Sequence, residues 1–298
     1  MQLSNTPHNE LIYEVNGMGT IKITSDSTCD LSEELIGKYE IDTVPLYINL
    51  GEESYKDMVE IKPSDIFSYA DKTGTLPKTS AVTIGDYIEL FSKYTNSHDA
   101  IIHINLGQGF SSCYQNATIA AKDFENVYVV NSANLSSGTG HLVIEAAIMA
   151  QEGIPAKEIV ERLEELANRV EASFVIDTLD YLRMGGRCSS VAALSANLLN
   201  IKPSIEVMNG AMEVGKKYRG RFEKAIPKYI ADRLNERNDI IPDRIFITHT
   251  GCSEELVDKT KELVKEHYAF SEIHETTASC TISSHCGPGT LGILFIRK

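Results

Sequence analysis

Gly109-Phe110-Ser111-Ser112-Cys113 sets two hydroxyls behind a glycine-bearing turn. The apolar run Ala100-Ile101-Ile102 precedes it and the run from Ala117 to Ala121 follows. This reads as strand, tight loop, then helix start. A serine at such a place either caps its helix or donates to an anion over the helix N-terminus. Three more loops share this hydroxyl-rich pattern: Ser25 to Asp30, Thr79-Ser80, and Ser132 to Ser137. Each hydroxyl can simply cap its own helix. Four such loops in one half of a chain point to a shared site for a carboxylate or a phosphate.

Other chemistries compete for the same residues. Ser111 can act as a nucleophile if a base reaches it, and His103, His141, His249 and His285 are the candidates. The segment lacks the glycine two residues after the serine that a nucleophile elbow needs. His249, Cys252, Cys280, His285 and Cys286 are metal-ligand types, but without structural zinc spacing, and packed thiols account for them better. Gly185-Gly186-Arg187 and Gly287-Pro288-Gly289 fit neither the P-loop nor the dinucleotide fingerprint. Arg187, Arg219 and Arg221 form a basic spot that suits a partner or a phosphate, with ordinary solvated charge as the plain alternative.

The elements that position these residues alternate between strand and helix. Strands are expected at Ile21–Thr24, Ile41–Leu50 (broken by Pro45), Ala100–Asn105 and Val127–Val130, the last one buried, then at Ser173–Ile176, Arg244–His249, Ser271–Glu275 and Leu291–Arg297. Tyr55-Lys56-Asp57 and Thr73 to Ser80 read as loops, and Ser284 to Thr290 as a glycine-rich turn. Helices are expected at Leu31–Ile36, Pro63–Ala70, Ile84–Tyr94 behind a Thr83 cap, 139–151, Pro155–Val170, Val191–Leu199 and Glu254–His267. The helix from Pro155 is the clearest, with Ile159, Leu163, Leu166 and Val170 on one stripe. Asn209-Gly210 is the favoured two-residue hairpin turn. The class is therefore α/β. The end of the longest helix suggests an N-terminal extension over residues 1–19 and domains over 20–172 and 173–298.

Composition narrows the partners. The chain has 298 residues, 42% apolar and 23% charged, with a net charge of −14. That charge argues against nucleic acid, whose phosphates need a basic field. Six scattered cysteines without a CxxC pair suggest reduced thiols in a cytoplasmic protein. No apolar run approaches the roughly 20 residues of a membrane span. Any apolar ligand must then sit in a cavity of the protein's own.

Taken in order, the loops resemble the DegV family of bacterial fatty-acid-binding proteins, from about Ile21 to the C-terminus. Ile23 to Leu31 resembles the family's opening strand and Asp-Ser-Thr loop, and Tyr55-Lys56-Asp57 its Tyr-Arg-Asp element. Lys78-Thr79-Ser80 is similar to its Thr-Thr-Ser loop, and Phe110 to Gln115 to its Leu-Ser-Gly-Thr-Tyr-Gln segment. Leu179 to Arg187 closely matches its Leu-x-Tyr-Leu-x-x-Gly-Gly-Arg signature. Arg219-Gly220-Arg221 and His285 to Gly289 fall where the family has similar features. Departures are Ser112 for the usual glycine, Cys113 for a small hydroxyl residue, Ala81-Val82 for Gln-Pro, and Asn131-Ser132 for Asp-Ser.

The resemblance implies two α/β domains with largely parallel sheets and a ligand tunnel between them. It implies a long-chain fatty acid as ligand, with no other cofactor and no metal. Thr79 and Ser111 are expected to hold the carboxylate, with Ser80, Ser112 and His285 beside them. It further implies a non-catalytic carrier that presents the carboxylate to an ATP-dependent fatty acid kinase, docked through Arg187, Arg219 and Arg221. The competing expectations are a serine-dependent hydrolase or phosphotransferase using Ser111 with His285, and a carrier of another hydrophobic carboxylate.

Overall fold

Local chemistry sets most element boundaries. In the computed structural model, which describes residues 19–192 and 201–298, β1 (Ile21–Asp26) runs through a 3-10 turn into α1 (Glu33–Lys38). The Ser32 hydroxyl caps α1 by accepting from Leu35 N. Pro45 divides the β-rich run into β2 (Asp42–Val44) and β3 (Tyr47–Leu50). β4 (Glu53–Lys56), α2 (Pro63–Thr73) and β5 (Lys78–Ser80) follow. α3 (Ile84–Tyr94) opens on a reciprocal cap between Thr83 and Asp86. The first half closes with β6 (Ala100–Asn105), α4 (Cys113–Ala121), β7 (Val127–Asn131), α5 (Ser137–Gln151) and α6 (Ala156–Ala167).

The second half begins with β8 (Val170–Ile176), α7 (Asp180–Gly185) and α8 (Ser189–Ala192). Most of the helix expected at Val191–Leu199 lies outside the described residues, as do residues 1–18 of the expected extension. β9 (Ile201–Met208) and β10 (Ala211–Arg219) form the expected hairpin. Its turn residues Asn209 and Gly210 both take positive φ, 52° and 74°, as a type I′ turn requires. Then come α9 (Phe222–Leu234), β11 (Ile240–Thr250), α10 (Glu254–His267), β12 (Glu272–Thr277), α11 (Cys280–Cys286) and β13 (Thr290–Arg297).

Three sheets result. The first, β2-β1-β6-β7, is parallel throughout. The second, β10-β9-β8-β13-β11-β12, is mixed: only β11 and β12 pair in parallel, and its other neighbours are antiparallel. The largely parallel arrangement is thus confined to the first sheet. A parallel pair needs a crossover connection, and in the second sheet only α10 supplies one between neighbouring strands. The third sheet, β4-β3-β5, is a small antiparallel one, so Tyr55-Lys56 and Thr79-Ser80 are strand residues rather than loop. β7 is an edge strand with only Val130 buried, not the buried strand expected. The expected boundary at 172/173 falls inside β8.

α5 joins the halves. It packs on β1 and β6 of the first sheet and on β8 and β13 of the second. It is buried from Ser137 to Ile144 and again at Ala146, Ala147 and Met149, as a helix packed between two sheets must be. Ile102, Ile104, Leu142, Ile144, Phe246 and Leu294 form one continuous core across it. His141 within it is fully buried and hydrogen-bonds the Leu294 carbonyl at 2.9 Å.

Two buried carboxylates of the first half hold α11 of the second. Asp57 accepts from Cys280 N at 2.9 Å, Thr281 N at 3.2 Å and Thr281 Oγ1 at 2.6 Å, satisfying the first turn of the helix. Asp30 accepts from Ser279 N at 2.9 Å and from the Ser136 hydroxyl. Asp26 serves the loop after β6, accepting from Leu106 N at 2.9 Å and from Thr28. Burial pushes all three carboxyls upward, Asp30 to about 7.

Asp30 therefore binds a proton more tightly folded than unfolded. Its contribution to stability is complete below its unfolded value near 3.8 and is lost as pH rises through about 7. Asp30→Asn lacks this loss. Thermal melts across pH 4 to 8 should show the variant gaining on the wild type up to about pH 7 and running parallel to it above. A constant offset across the whole range would contradict the assignment.

Candidate functional site

The held helix carries His285 to the first half of the chain. His285 Nε2 lies 2.9 Å from Thr79 Oγ1, a contact between residues 206 positions apart. Desolvation, with the Arg187 guanidinium adding to it, pulls the imidazole down to about 4, so it is neutral at pH 7. His285 Nδ1 has no partner among the described residues. A Cβ on Gly185 would lie 2.3 Å from that nitrogen, so the glycine at the end of α7 is what gives the ring its place. The helix α11 was not apparent from the sequence, where Ser284 to Thr290 reads as a turn. Only Gly287 onward turns, and Gly287 takes a φ of 76°.

Beside this pair lies a cavity of about 500 Å³. Thr79, Ser80, Ser111, Ser112, His285 and Arg187 all line it. Ser111 is half-buried. Its hydroxyl donates to Cys113 Sγ at 3.1 Å and accepts from Cys113 N at 3.3 Å. Burial pushes the Cys113 thiol up to about 11, which keeps it a neutral partner. Ser112 precedes α4 with φ −78° and ψ 1°, a conformation open to any residue, so no glycine is needed there. Ser112 is exposed, and its side chain makes no capping bond. Ser80 is exposed and accepts from Asn49 Nδ2 at 2.8 Å.

Only two of the four loops bring hydroxyls to this cavity; the Ser132 to Ser137 loop reaches it with Leu135 alone. Ser25, Ser27 and Thr28 spend their hydroxyls on the Ile104 carbonyl, Asp57 and Asp26. Ser132 bonds Thr139, Ser136 bonds Asp30, and Ser137 bonds Thr248. These loops build the frame. Arg187 is exposed at the cavity, with Nη1 on the Gly185 carbonyl at 2.7 Å. Arg219 ends β10 and Arg221 leads into α9; both are exposed and neither lines the cavity.

None of the four histidines bonds Ser111. His103 is fully buried and meets Thr24 Oγ1 at 2.9 Å, His141 meets Leu294, and His249 meets Glu275 at 3.3 Å. His285 is engaged with Thr79. Cys252 donates to the Thr290 carbonyl and Cys280 to the Ile61 carbonyl.

The rest of the cavity wall is apolar and was not singled out from sequence: Leu46, Leu106, Phe110, Leu135, Met212 and Ile282. Their only sequence signal is apolar character, which core residues share. Leu135, Ile282 and Cys286 also wall a second, narrow space bounded by Phe174 and Leu294. The hydroxyl of Thr248, which faces it, is taken by Ser137 and Thr276. Met212 of β10 lines the cavity, and the β9–β10 turn packs on Gly109 beside it. A Cβ on Gly109 would lie 2.3 Å from the Gly210 carbonyl, so Gly109 allows the turn to seat beside Ser111.

A family profile described as "Uncharacterised protein, DegV family" matches residues 20–298. The chain belongs to the DegV family. A DegV domain-containing protein of Caldanaerobacter subterraneus is 34% identical over 283 residues, covering 94% of this chain and all of that one. Among solved structures, one described as fatty acid binding of a DegV family protein from Thermus thermophilus has a TM-score of 0.85. It is 28% identical and covers 94% of this chain and all of its own. DegV of Bacillus subtilis, described as a fatty acid binding protein, has a TM-score of 0.80 at 28% identity, with coverage of 94% and 100%. The α/β fold is the family's. No described helix is long and apolar enough to cross a membrane.

Gly185→Ala should displace the His285 ring and break its bond to Thr79. In NMR titration the His285 ring should then titrate closer to the ordinary histidine value, because the bond and the enclosure are lost together. An unchanged titration would show that Gly185 does not position the ring.

Proposed function

We propose that this DegV family protein binds a long-chain fatty acid and presents its carboxylate to an ATP-dependent kinase. The observation that carries the reading is the lining of the cavity. Hydroxyls and an imidazole, at Thr79, Ser111 and His285, share it with apolar side chains, and Leu135, Ile282 and Cys286 also wall a second, narrow apolar space. The descriptions of the Thermus thermophilus and Bacillus subtilis relatives as fatty acid binding support it.

Burial of the tail supplies most of the affinity, about 0.8 kcal/mol per methylene before ordering costs. The head needs only to avoid being left unpaired, since an uncompensated buried charge would outweigh the tail. Ser111 suits this role. Its hydroxyl rests on a thiol sulfur, a weak acceptor, and exchanging that for a carboxylate oxygen is favourable. Thr79 can donate to the carboxylate while its oxygen accepts from His285 Nε2–H. Arg187 brings the formal positive charge at the cavity.

On this reading the tail runs past Leu135 and Ile282 toward Phe174 and Leu294, where the space is only about 20 Å³ and has to widen to admit it. In the transfer step a carboxylate oxygen attacks the γ-phosphorus of ATP, giving an acyl phosphate and ADP. That step requires the head to stay reachable, which fits an exposed Ser112 and Arg187. Arg187, Arg219 and Arg221 are the residues we assign to kinase docking. The carrier itself needs no other cofactor in this reading.

Native mass spectrometry and organic extraction test the proposal. Wild-type protein should carry or take up a long-chain acyl group, and failure of both would overturn it. Thr79→Val and Ser111→Ala should each weaken capture by roughly tenfold, the scale of one charge-assisted hydrogen bond. Ile282→Trp should lose long chains far more than short ones, because it fills the wall between the two spaces.

A further inference from the structure

A second cavity, of about 280 Å³, lies on the far side of the β9–β10 turn, against Asn134 and the start of β8. Arg233, Arg237 and Arg297 line it with Glu171 and Glu206, an unusual concentration of guanidinium groups in a chain of net charge −14. Glu171 is shared among three of them: Arg233, Arg237 at 3.0 Å and Arg297 at 3.7 Å. Glu206 pairs with Arg233 at 3.0 Å, and Asp239 with Arg237 at 2.6 Å. Arg169 joins the cluster through its Nε on the Arg297 carbonyl at 2.9 Å. The cavity lining thus sets three guanidiniums against two carboxylates.

The shortage is visible in individual atoms. The Nε groups of Arg233 and Arg297 are buried with no hydrogen-bond partner among the described residues. A buried donor without an acceptor is costly, and a guanidinium fork matches the oxygens of a carboxylate or phosphate. We infer that this cavity is a binding site for a small oxyanion of the phosphate or carboxylate class, which supplies the missing acceptor. The site is separate from the acyl cavity, and it stands whether or not the acyl reading holds. Its wall includes Gly210, whose carbonyl abuts Gly109 of the Ser111 loop. An anion seated here would brace the turn that packs on the Gly109 loop.

Calorimetric titration of the full chain with inorganic phosphate, and separately with acetate, tests the site and distinguishes the two sources. One or both should bind saturably at millimolar concentration and raise the melting temperature. Arg297→Gln removes one donor and should weaken binding by roughly tenfold. Glu206→Gln removes a competing carboxylate and should tighten binding, a gain that a purely structural ion-pair cluster would not show. If Arg297→Gln fails to fold, Glu206→Gln decides alone. No saturable binding of either anion to the wild type, or no tightening in Glu206→Gln, overturns the inference.

Discussion

The Thr79–His285 pair and the cavity beside it depend on how α11 is held. It is a short helix, and short helices do not persist on intrinsic propensity alone. Its first turn is satisfied by Asp57, and the entry to it by Asp30, both buried and both from the other half of the chain. Two carboxylates kept from water are expensive, and their desolvation shows in raised proton affinity. Hydrogen bonds from Ser27, Ser136, Thr281 and three backbone amides offset that cost. The result is directional. Helix and imidazole are delivered to Thr79 at hydrogen-bond distance, and the bond joins the small antiparallel sheet to the helix that precedes β13.

The same logic separates frame from site. Hydroxyls at Ser25, Ser27, Thr28, Ser136 and Ser137 are saturated by internal partners, so they are rigid and unavailable. The hydroxyl of Ser111 rests on a thiol, and the Thr79 hydroxyl on a neutral imidazole. The thiol is a weak acceptor that Ser111 can exchange, and a Thr79 oxygen that accepts from the imidazole keeps its own O–H to donate. Around them the wall is largely apolar. Glycines set the clearances. At Gly109 and Gly185 a side chain would collide with the hairpin turn or with His285 itself.

Much of the fold was legible locally. The Asn209-Gly210 hairpin, the Thr83 cap and the α10 span (Glu254–His267) follow from short-range rules, because a turn type or a cap needs only its own few residues. The Thr79 and Ser111 loops were readable as a pair through the ordered set of motifs. Less was readable where pairing partners lie far away. β5 is three residues long and is a strand only because β3 is beside it. β7 has the composition of a buried strand, yet its position at the sheet edge leaves it half-exposed. α11 is rich in Ser, Thr and Cys, poor helix formers; Ser279 caps it locally through Ile282 N, and the distant Asp57 satisfies its first two amides.

By itself, then, the sequence determined the α/β alternation, the hydroxyl loops and the family they spell out. Those properties reside in residue types and their spacing. Only the tertiary structure decided which hydroxyls face the cavity and which are consumed in the frame. It also decided that His285 bonds Thr79 rather than Ser111, and that the second sheet is mixed. Each of these depends on contacts between residues far apart in the chain, and such contacts are settled by packing around α5 and by buried carboxylates seeking donors.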